Sequence, residues 1–328
     1  MHALVIGAAG MIGRKLVERL AREGGIGGRA IQRLSLFDVV APTAPAGAPF
    51  PTGVEAGDFA EAGCAERLIA DRPDVIFHLA AIVSGEAETD FDKGYRINLD
   101  GTRFLFEAIR QAGGGYRPRV VFTSSIAVFG APFPADGIHD EFHLTPLTSY
   151  GTQKAIGELL LADYSRRGFL DGVGIRLPTI CVRPGKPNAA ASGFFSGIIR
   201  EPLNGQEAIL PVSDTVRHSH ASPRSAVEFL VHAATMDTEP LNVRRSLTMP
   251  GLSATVGEQI EALRRVAGAS AVDRIRRQPD PLVERIVSGW AERVNTARAE
   301  QFGFRAERTF DEIVQVYVDE ELGGRVPA

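Results

Sequence analysis

The chain has 328 residues, 44% of them hydrophobic, and carries 36 Lys plus Arg against 40 Asp plus Glu, a formal net charge of −4. That length holds one large domain or two intimate ones. The mild acidity argues against a nucleic-acid groove, and no apolar run reaches the roughly 18 residues of a membrane span.

His2-Ala3-Leu4-Val5-Ile6 is a short apolar run rich in branched residues, which predicts a buried strand. It runs straight into Gly7-Ala8-Ala9-Gly10-Met11-Ile12-Gly13 and then an amphipathic helix with Ile12, Leu16, Val17 and Leu20 at helical spacing. A Gly-rich turn between strand and helix is the setting of a dinucleotide pyrophosphate loop. Gly7 would allow the tight turn, Gly10 the close approach of a phosphate and Gly13 the helix packing. Met11 and Ile12 open a helix whose free N–H groups favour an anion. The spacing is G-x-x-G-x-x-G.

The second strand, Leu34 to Asp38, ends in an acid that can accept both ribose hydroxyls of adenosine and repel a 2′-phosphate, so NAD is expected over NADP. A Pro-rich loop over 42–51 follows, then a short strand Val54 to Asp58, a helix Glu61 to Ala70, a strand Asp74 to Ala81, and a long helix Asn98 to Gln111. Arg119 to Ser125 is the next strand, the Tyr150 helix runs from Ser149 to Arg167, and Val173 to Leu177 is a further strand.

Such alternation predicts an α/β fold: a Rossmann-type, doubly wound parallel sheet with helices on both faces. Gly7, Asp38, Asp58, Ala80, Ser125 and Pro178 all fall at the carboxyl ends of its strands, where ligands bind. From Thr179 the pattern becomes irregular. The expected division is an NAD-binding domain over 1–178, joined by returning segments near 205–235, and a smaller interleaved substrate-binding cap over 179–328. In that cap, Arg183 to Asn188 reads as loop, 222–236, 255–267 and 309–321 as helices, Ser246 to Met249 as a strand, and Gly323 to Ala328 as a frayed tail.

Tyr150 and Lys154 are separated by three residues, which puts phenol and ammonium on one helix face, one turn apart. A cation there lowers the phenol pKa and makes it a usable acid/base. Cys64 and Cys181 lack Cys-x-x-Cys spacing and suit a reducing cytoplasm. His218 and His220 stand without a third partner, so no metal is expected.

The run of Gly7-x-x-Gly10-x-x-Gly13, Asp38, Asp58, His78-Leu79-Ala80-Ala81, Asn98, Ser124-Ser125, Tyr150-x-x-x-Lys154 and Arg176-Leu177-Pro178 resembles the extended short-chain dehydrogenase/reductase family of NAD-dependent epimerases and dehydratases. The resemblance implies that Ser125 orients the reacting group, Tyr150 is the acid/base, Lys154 binds the nicotinamide ribose, and Asn98 supports a proton relay; a plain helix cap remains the other reading of Asn98. It places Asp58 and Phe59 by the adenine and Leu79, Ala80, Ala81 and Pro178 along the cofactor channel. The segments 179–188, 192–196 and 247–256 are similar to a branch of the family that acts on D-erythronate. This implies NAD-dependent oxidation of the C2 hydroxyl of a small sugar acid, D-erythronate to 2-dehydro-D-erythronate. A sugar acid needs a guanidinium, for which Arg183 and Arg217 are candidates, and Ser84 could touch its hydroxyls. A nucleotide-sugar 4-epimerase or dehydratase is the alternative, and a non-catalytic NAD-sensing module the second. The family also implies a homodimer through the helices over 91–112 and 149–167.

Overall fold

The computed structural model describes residues 1–185 and 192–326, so the loop expected over Lys186, Pro187 and Asn188 falls outside the described residues. The chain divides into two compact units: Met1–Val128 with Leu144–Leu177 and Val227–Thr248, and Phe129–His143 with Pro178–Ala226 and Met249–Ala328.

Seven parallel strands build the first unit: β1 His2–Ile6, β2 Arg33–Asp38, β3 Thr52–Ala56, β4 Val75–His78, β5 Arg119–Ser125, β6 Asp171–Leu177 and β7 Ser246–Thr248. Their order is β7-β6-β5-β4-β1-β2-β3, with every pairing parallel. The order reverses between β1 and β4, and that switch point is where an open α/β sheet opens a crevice. Strands β1, β4 and β5 are near-continuous apolar runs because helices cover both faces. Leu4, Ile6, Ile76, Val120 and Phe122 pack there with Leu105, Phe106 and Leu161 from the helices.

Helix α1, Met11–Glu23, buries Leu16, Val17 and Leu20. Helix α2 is Cys64–Ile69, shorter than expected because Asp58–Cys64 is a run of turns, with the Glu61 N–H on Asp58 O and the Cys64 N–H on Glu61 O, both at 3.1 Å. The helix expected from Asn98 begins earlier and is not regular. An α-turn Phe91–Gly94 leads into a wider π-helical stretch, Tyr95–Asp100, and then α3, Gly101–Ala112. Helix α4 is Ser149–Arg166, capped by Thr148, whose hydroxyl accepts the Gly151 N–H at 3.0 Å.

The second unit has its own core of Cys181, Phe195, Ile198, Ile199, Leu263, Ile313 and Val314 among others. Its three-stranded sheet joins Thr179–Ile180, Arg217–Ala221 and Leu252–Thr255. Residues 205–226 belong here and not with the first unit; Ala208–Leu210 pairs in parallel with Ile275–Arg277. The segment that returns to the main sheet is Val227–Thr248, through β7 beside β6. Helices Pro223–Thr235, Val256–Ala267 and Phe310–Glu321 lie close to their expected spans. The first of these is capped by Ser222, whose hydroxyl accepts the Ser225 N–H at 3.0 Å, and Glu307 braces the cap by accepting the Ser222 N–H at 3.2 Å and the Ser225 hydroxyl at 2.8 Å. The carboxyl end is held as far as Val326: the Gly324 N–H bonds Val318 O at 2.9 Å and Val326 packs on the core.

Candidate active site

The Gly-rich turn leaves β1 with Gly7 at φ +94°, a conformation that favours glycine. The N–H groups of Gly7 and Ala8 both donate to Phe37 O, at 2.8 and 3.1 Å, which pins the turn to β2. A Cβ on Gly7 would lie 2.6 Å from Ala80 N, and one on Gly13 would lie 2.1 Å from Gly7 O. These two glycines are therefore demanded by packing. Gly10 differs: a Cβ there would meet only Gly7 O, at 3.4 Å, so its other face is open. Gly10 is also the N-cap of α1, and no side chain caps that helix. Uncapped N–H groups beside an open glycine face are what a pyrophosphate requires.

Asp38, at the end of β2, braces the same turn. Its Oδ2 accepts the Ala9 N–H at 2.8 Å and its Oδ1 the Val39 N–H at 2.7 Å. Each oxygen keeps a second lone pair for a ribose hydroxyl. Asp58 lies two residues past β3; its carboxylate accepts the Ala60 N–H at 2.9 Å and Arg96 Nη1 at 2.6 Å. Burial opposes its ionisation, but those donors outweigh it and hold the carboxyl below the usual range. Phe59 turns its ring into the core, 5.0 Å from the His78 ring and against Gly101. Only the Phe59 backbone is left to face an adenine. Leu79, Ala80 and Ala81 leave β4 half-buried, and the Leu79 and Ala80 N–H groups both reach Ile6 O, at 2.8 and 3.0 Å.

Ser125 ends β5 half-exposed, and its Oγ accepts the Ala127 N–H at 3.1 Å, a bond that does not use its own O–H. Helix α4 is brought against this strand end by two glycines. A Cβ on Gly151 would sit 2.2 Å from Ala127 O, and one on Gly157 would sit 2.7 Å from the Phe122 ring. On that helix Tyr150 is half-buried and Lys154 is 3% exposed. The Lys154 ammonium stands 4.9 Å from the Phe122 ring centre and 5.8 Å from that of Tyr150. Burial pulls its pKa down to about 7, and the Glu158 charge opposes that fall.

Asn98 is buried within the π-helical stretch, so it is not a helix N-cap. Its Oδ1 accepts the Ile82 N–H at 2.9 Å; its Nδ2 donates to Ile82 O at 3.1 Å and to Gln153 Oε1 at 2.8 Å. Both amide hydrogens are committed, so the side chain has none to give a relay; it clamps the loop after β4 to helix α4. Sequence reasoning missed Gln153 in this clamp. Beneath it, the Thr102 hydroxyl donates to Asn98 O at 2.7 Å, so His78 Nε2 holds the hydrogen it shares with Thr102 at 2.8 Å. Burial, with the Lys154 charge, pushes the His78 imidazole down to about 3 and keeps it neutral.

The proposed substrate residues are placed in different units. Ser84 opens a short helix, Ser84–Thr89, of the first. Arg183 and Arg217 lie in the second, as does Pro178, which follows β6 directly. Arg183 Nε donates to Ile180 O at 2.9 Å and Nη2 to Ser192 Oγ at 3.1 Å. Arg217 Nη1 donates to Ser253 O at 2.9 Å and Nη2 lies 3.2 Å from Glu258. His218 and His220 are buried among Phe195, Trp290 and Phe310. Cys64 and Cys181 are free, and burial raises their thiols to about 11 and about 12.

The parallel sheet, its switch point and the uncapped Gly-rich turn define a dinucleotide-binding enzyme of the Rossmann type. Residues 3–243 match the family model described as NAD dependent epimerase/dehydratase family, and the chain belongs to that family. NAD is its cofactor, consistent with the acid at the end of β2. The chain is 47% identical over 324 residues to a D-erythronate dehydrogenase of Cupriavidus necator, covering 98% of each. It is 38% identical to a D-erythronate dehydrogenase of Haemophilus influenzae, covering 98% of this chain and all of that one. The crystal structure of a nucleoside-diphosphate-sugar epimerase from Agrobacterium tumefaciens superposes with a TM-score of 0.97 at 65% identity, covering 100% of this chain and 96% of that one. Among the described residues no helix is long and apolar enough to cross a membrane.

Proposed function

We propose that this enzyme is an NAD-dependent dehydrogenase that oxidises the C2 hydroxyl of a small sugar acid, D-erythronate to 2-dehydro-D-erythronate. The observation that carries the substrate is the near full-length similarity to two proteins named D-erythronate dehydrogenase. The chemistry draws support from Tyr150 and Lys154 on one face of α4, beside the end of the strand that carries Ser125.

The N–H groups opening α1 and the Gly10 face would hold the pyrophosphate, Asp38 the adenosine ribose, Asp58 and the Phe59 backbone the adenine, and Lys154 the nicotinamide ribose. NAD, when bound, accepts the hydride. Tyr150 takes the hydroxyl proton on its phenolate oxygen, and the Lys154 cation offsets that oxygen's charge. Ser125 donates its O–H to the substrate oxygen and so fixes the carbinol. Arg183 and Arg217 are the two guanidinium candidates for the substrate carboxylate. In the same reading the second unit binds substrate, Ser84 touches its hydroxyls, and the enzyme works in the cytoplasm as a homodimer through α3 and α4, where Leu159 stands 64% exposed.

The name of the 65% identical structure favours a second reading, a nucleotide-sugar epimerase that returns its hydride in each turnover. One assay separates them. The dehydrogenase accumulates NADH with D-erythronate in a panel of four-carbon acids; the epimerase converts a UDP- or GDP-sugar with no net NADH. Conversion of the sugar nucleotide alone would reject our reading.

Asp38→Ala removes the charge that opposes a 2′-phosphate. The NAD-over-NADP preference, measured as a ratio of kcat/KM values, is expected to fall by about tenfold or more, since like-charge contacts cost several kcal/mol. An unchanged ratio would place selectivity elsewhere.

A further inference from the structure

Behind Tyr150 and Lys154 lies a buried charge cluster that the mechanism above leaves unused. Glu158 stands one turn beyond Lys154 on the same face of α4 and is 4% exposed. Its carboxylate accepts the Ser124 hydroxyl of β5 at 2.5 Å. It also accepts Arg176 of β6 in a fork, from Nε at 3.0 Å and from Nη2 at 2.7 Å. Arg176 Nη1 reaches on to Thr248 Oγ1 of β7 at 3.4 Å. One carboxylate thus ties the catalytic helix to the strand that ends in Ser125 and, through Arg176, to the two strands beyond.

The cluster also sets the field at Lys154. Its own helix presents Tyr150 and Glu158. Strand β4 presents His78, neutral because burial and the Lys154 charge push it to about 3. Strand β5 presents the Phe122 face and Ser124, and β6 presents Arg176, forked on the same Glu158 carboxylate. Of these groups Glu158 brings the negative charge while the Tyr150 phenol holds its proton. A buried ammonium with no anion near it loses its proton, and burial does lower Lys154 while Glu158 holds it up.

We propose that Glu158, gripped by Ser124 and Arg176, is a positioning residue of the reaction: it fixes α4 on the end of β5 and supplies the counter-charge that keeps the Lys154 ammonium charged beside Tyr150. This rests on Tyr150 acting as the base.

The lysines of the chain are Lys15, Lys93, Lys154 and Lys186, so the protein with isotope-labelled lysine gives a sparse NMR spectrum, assigned with Lys154→Arg. In Glu158→Gln, Lys154 is expected to titrate lower than in the wild type by about one pH unit or more. The alkaline limb of kcat moves down with it, because turnover is lost as pH rises through the pKa of the required cation. Glu158→Asp, which keeps the charge, returns both towards wild type. Glu158→Gln takes the carboxylate fork from the buried Arg176 cation and can fail to fold. Glu158→Gln with Arg176→Met removes both charges and still lacks the anion, so Lys154 again titrates low. A folded double variant in which Lys154 titrates at the wild-type pH would overturn the proposal and leave Glu158 a packing residue. The titration is read on the enzyme without substrate, so a wild type that produced no NADH would sink the function proposed above and leave this result readable.

Discussion

Tyr150→Phe is expected to lose about 10²- to 10⁴-fold in kcat, the range that a positioned acid/base group contributes, while NAD affinity stays near that of the wild type. The substitution removes one oxygen and keeps the ring. The Lys154 ammonium still rests 4.9 Å from the centre of Phe122, so the groove beside it keeps its shape. The contacts assigned to NAD, namely the start of α1, Asp38 and Lys154, are untouched. Steady-state kinetics with D-erythronate and calorimetric titration with NAD give the two readouts. Substantial turnover in the variant would mean that another group takes the proton.

Gly13→Ala is expected to cost both stability and cofactor. Its new methyl would lie 2.1 Å from Gly7 O and 2.8 Å from Ala8 Cα, both backbone atoms that no rotamer change can move away. Overpacking of this kind costs about 1–3 kcal/mol. Relief has to come from lifting the turn off the start of α1, which spoils the surface assigned to the pyrophosphate, and each 1.4 kcal/mol or so lost there is about tenfold in affinity. Gly10→Ala is the control, since its methyl meets only Gly7 O, at 3.4 Å. It should leave the melting temperature nearly unchanged and still weaken NAD by filling the open face. If both variants bound NAD like the wild type, the turn would not be the phosphate site.

Much of the first unit was legible in the chain because local rules and burial agree there. Strand β5 spans Arg119–Ser125 as expected, since its centre is an unbroken apolar run. The Gly-rich turn could be read because each of its glycines answers a steric or conformational need set within a few residues. Strand β3 was misplaced by two residues: it is an edge strand with Gly53, Val54, Glu55 and Ala56 all exposed, so no alternation marks its register. The π-helical stretch has no periodicity of its own and reads as ordinary helix. The second unit was harder. Thr179–Ile180 is too short to show a pattern, and its neighbour Arg217–Ala221 is fixed by pairing across a long stretch of chain. At the site, Tyr150 and Lys154 were visible because they share one helix. The link that Glu158 makes between Ser124 and Arg176 was not, because 34 and 18 residues separate the partners and only the stacking of β5, β6 and α4 brings them together.

The wide turn over Tyr95–Asp100 spans one residue more per backbone hydrogen bond than an α-helix would. It behaves as a spacer in the middle of a rod. Deleting one residue within it would let the rod close into a regular spiral with both flanks keeping their facing, because the wide turn already absorbs the extra residue. The residues inside it are the ones that would be re-aimed, and Asn98, which holds Ile82, is among them, whereas Thr102, which holds His78, lies beyond it. When distant relatives are aligned with this chain, a single-residue gap at that point therefore marks a change in how the cofactor loop is moored, whatever the surrounding identity.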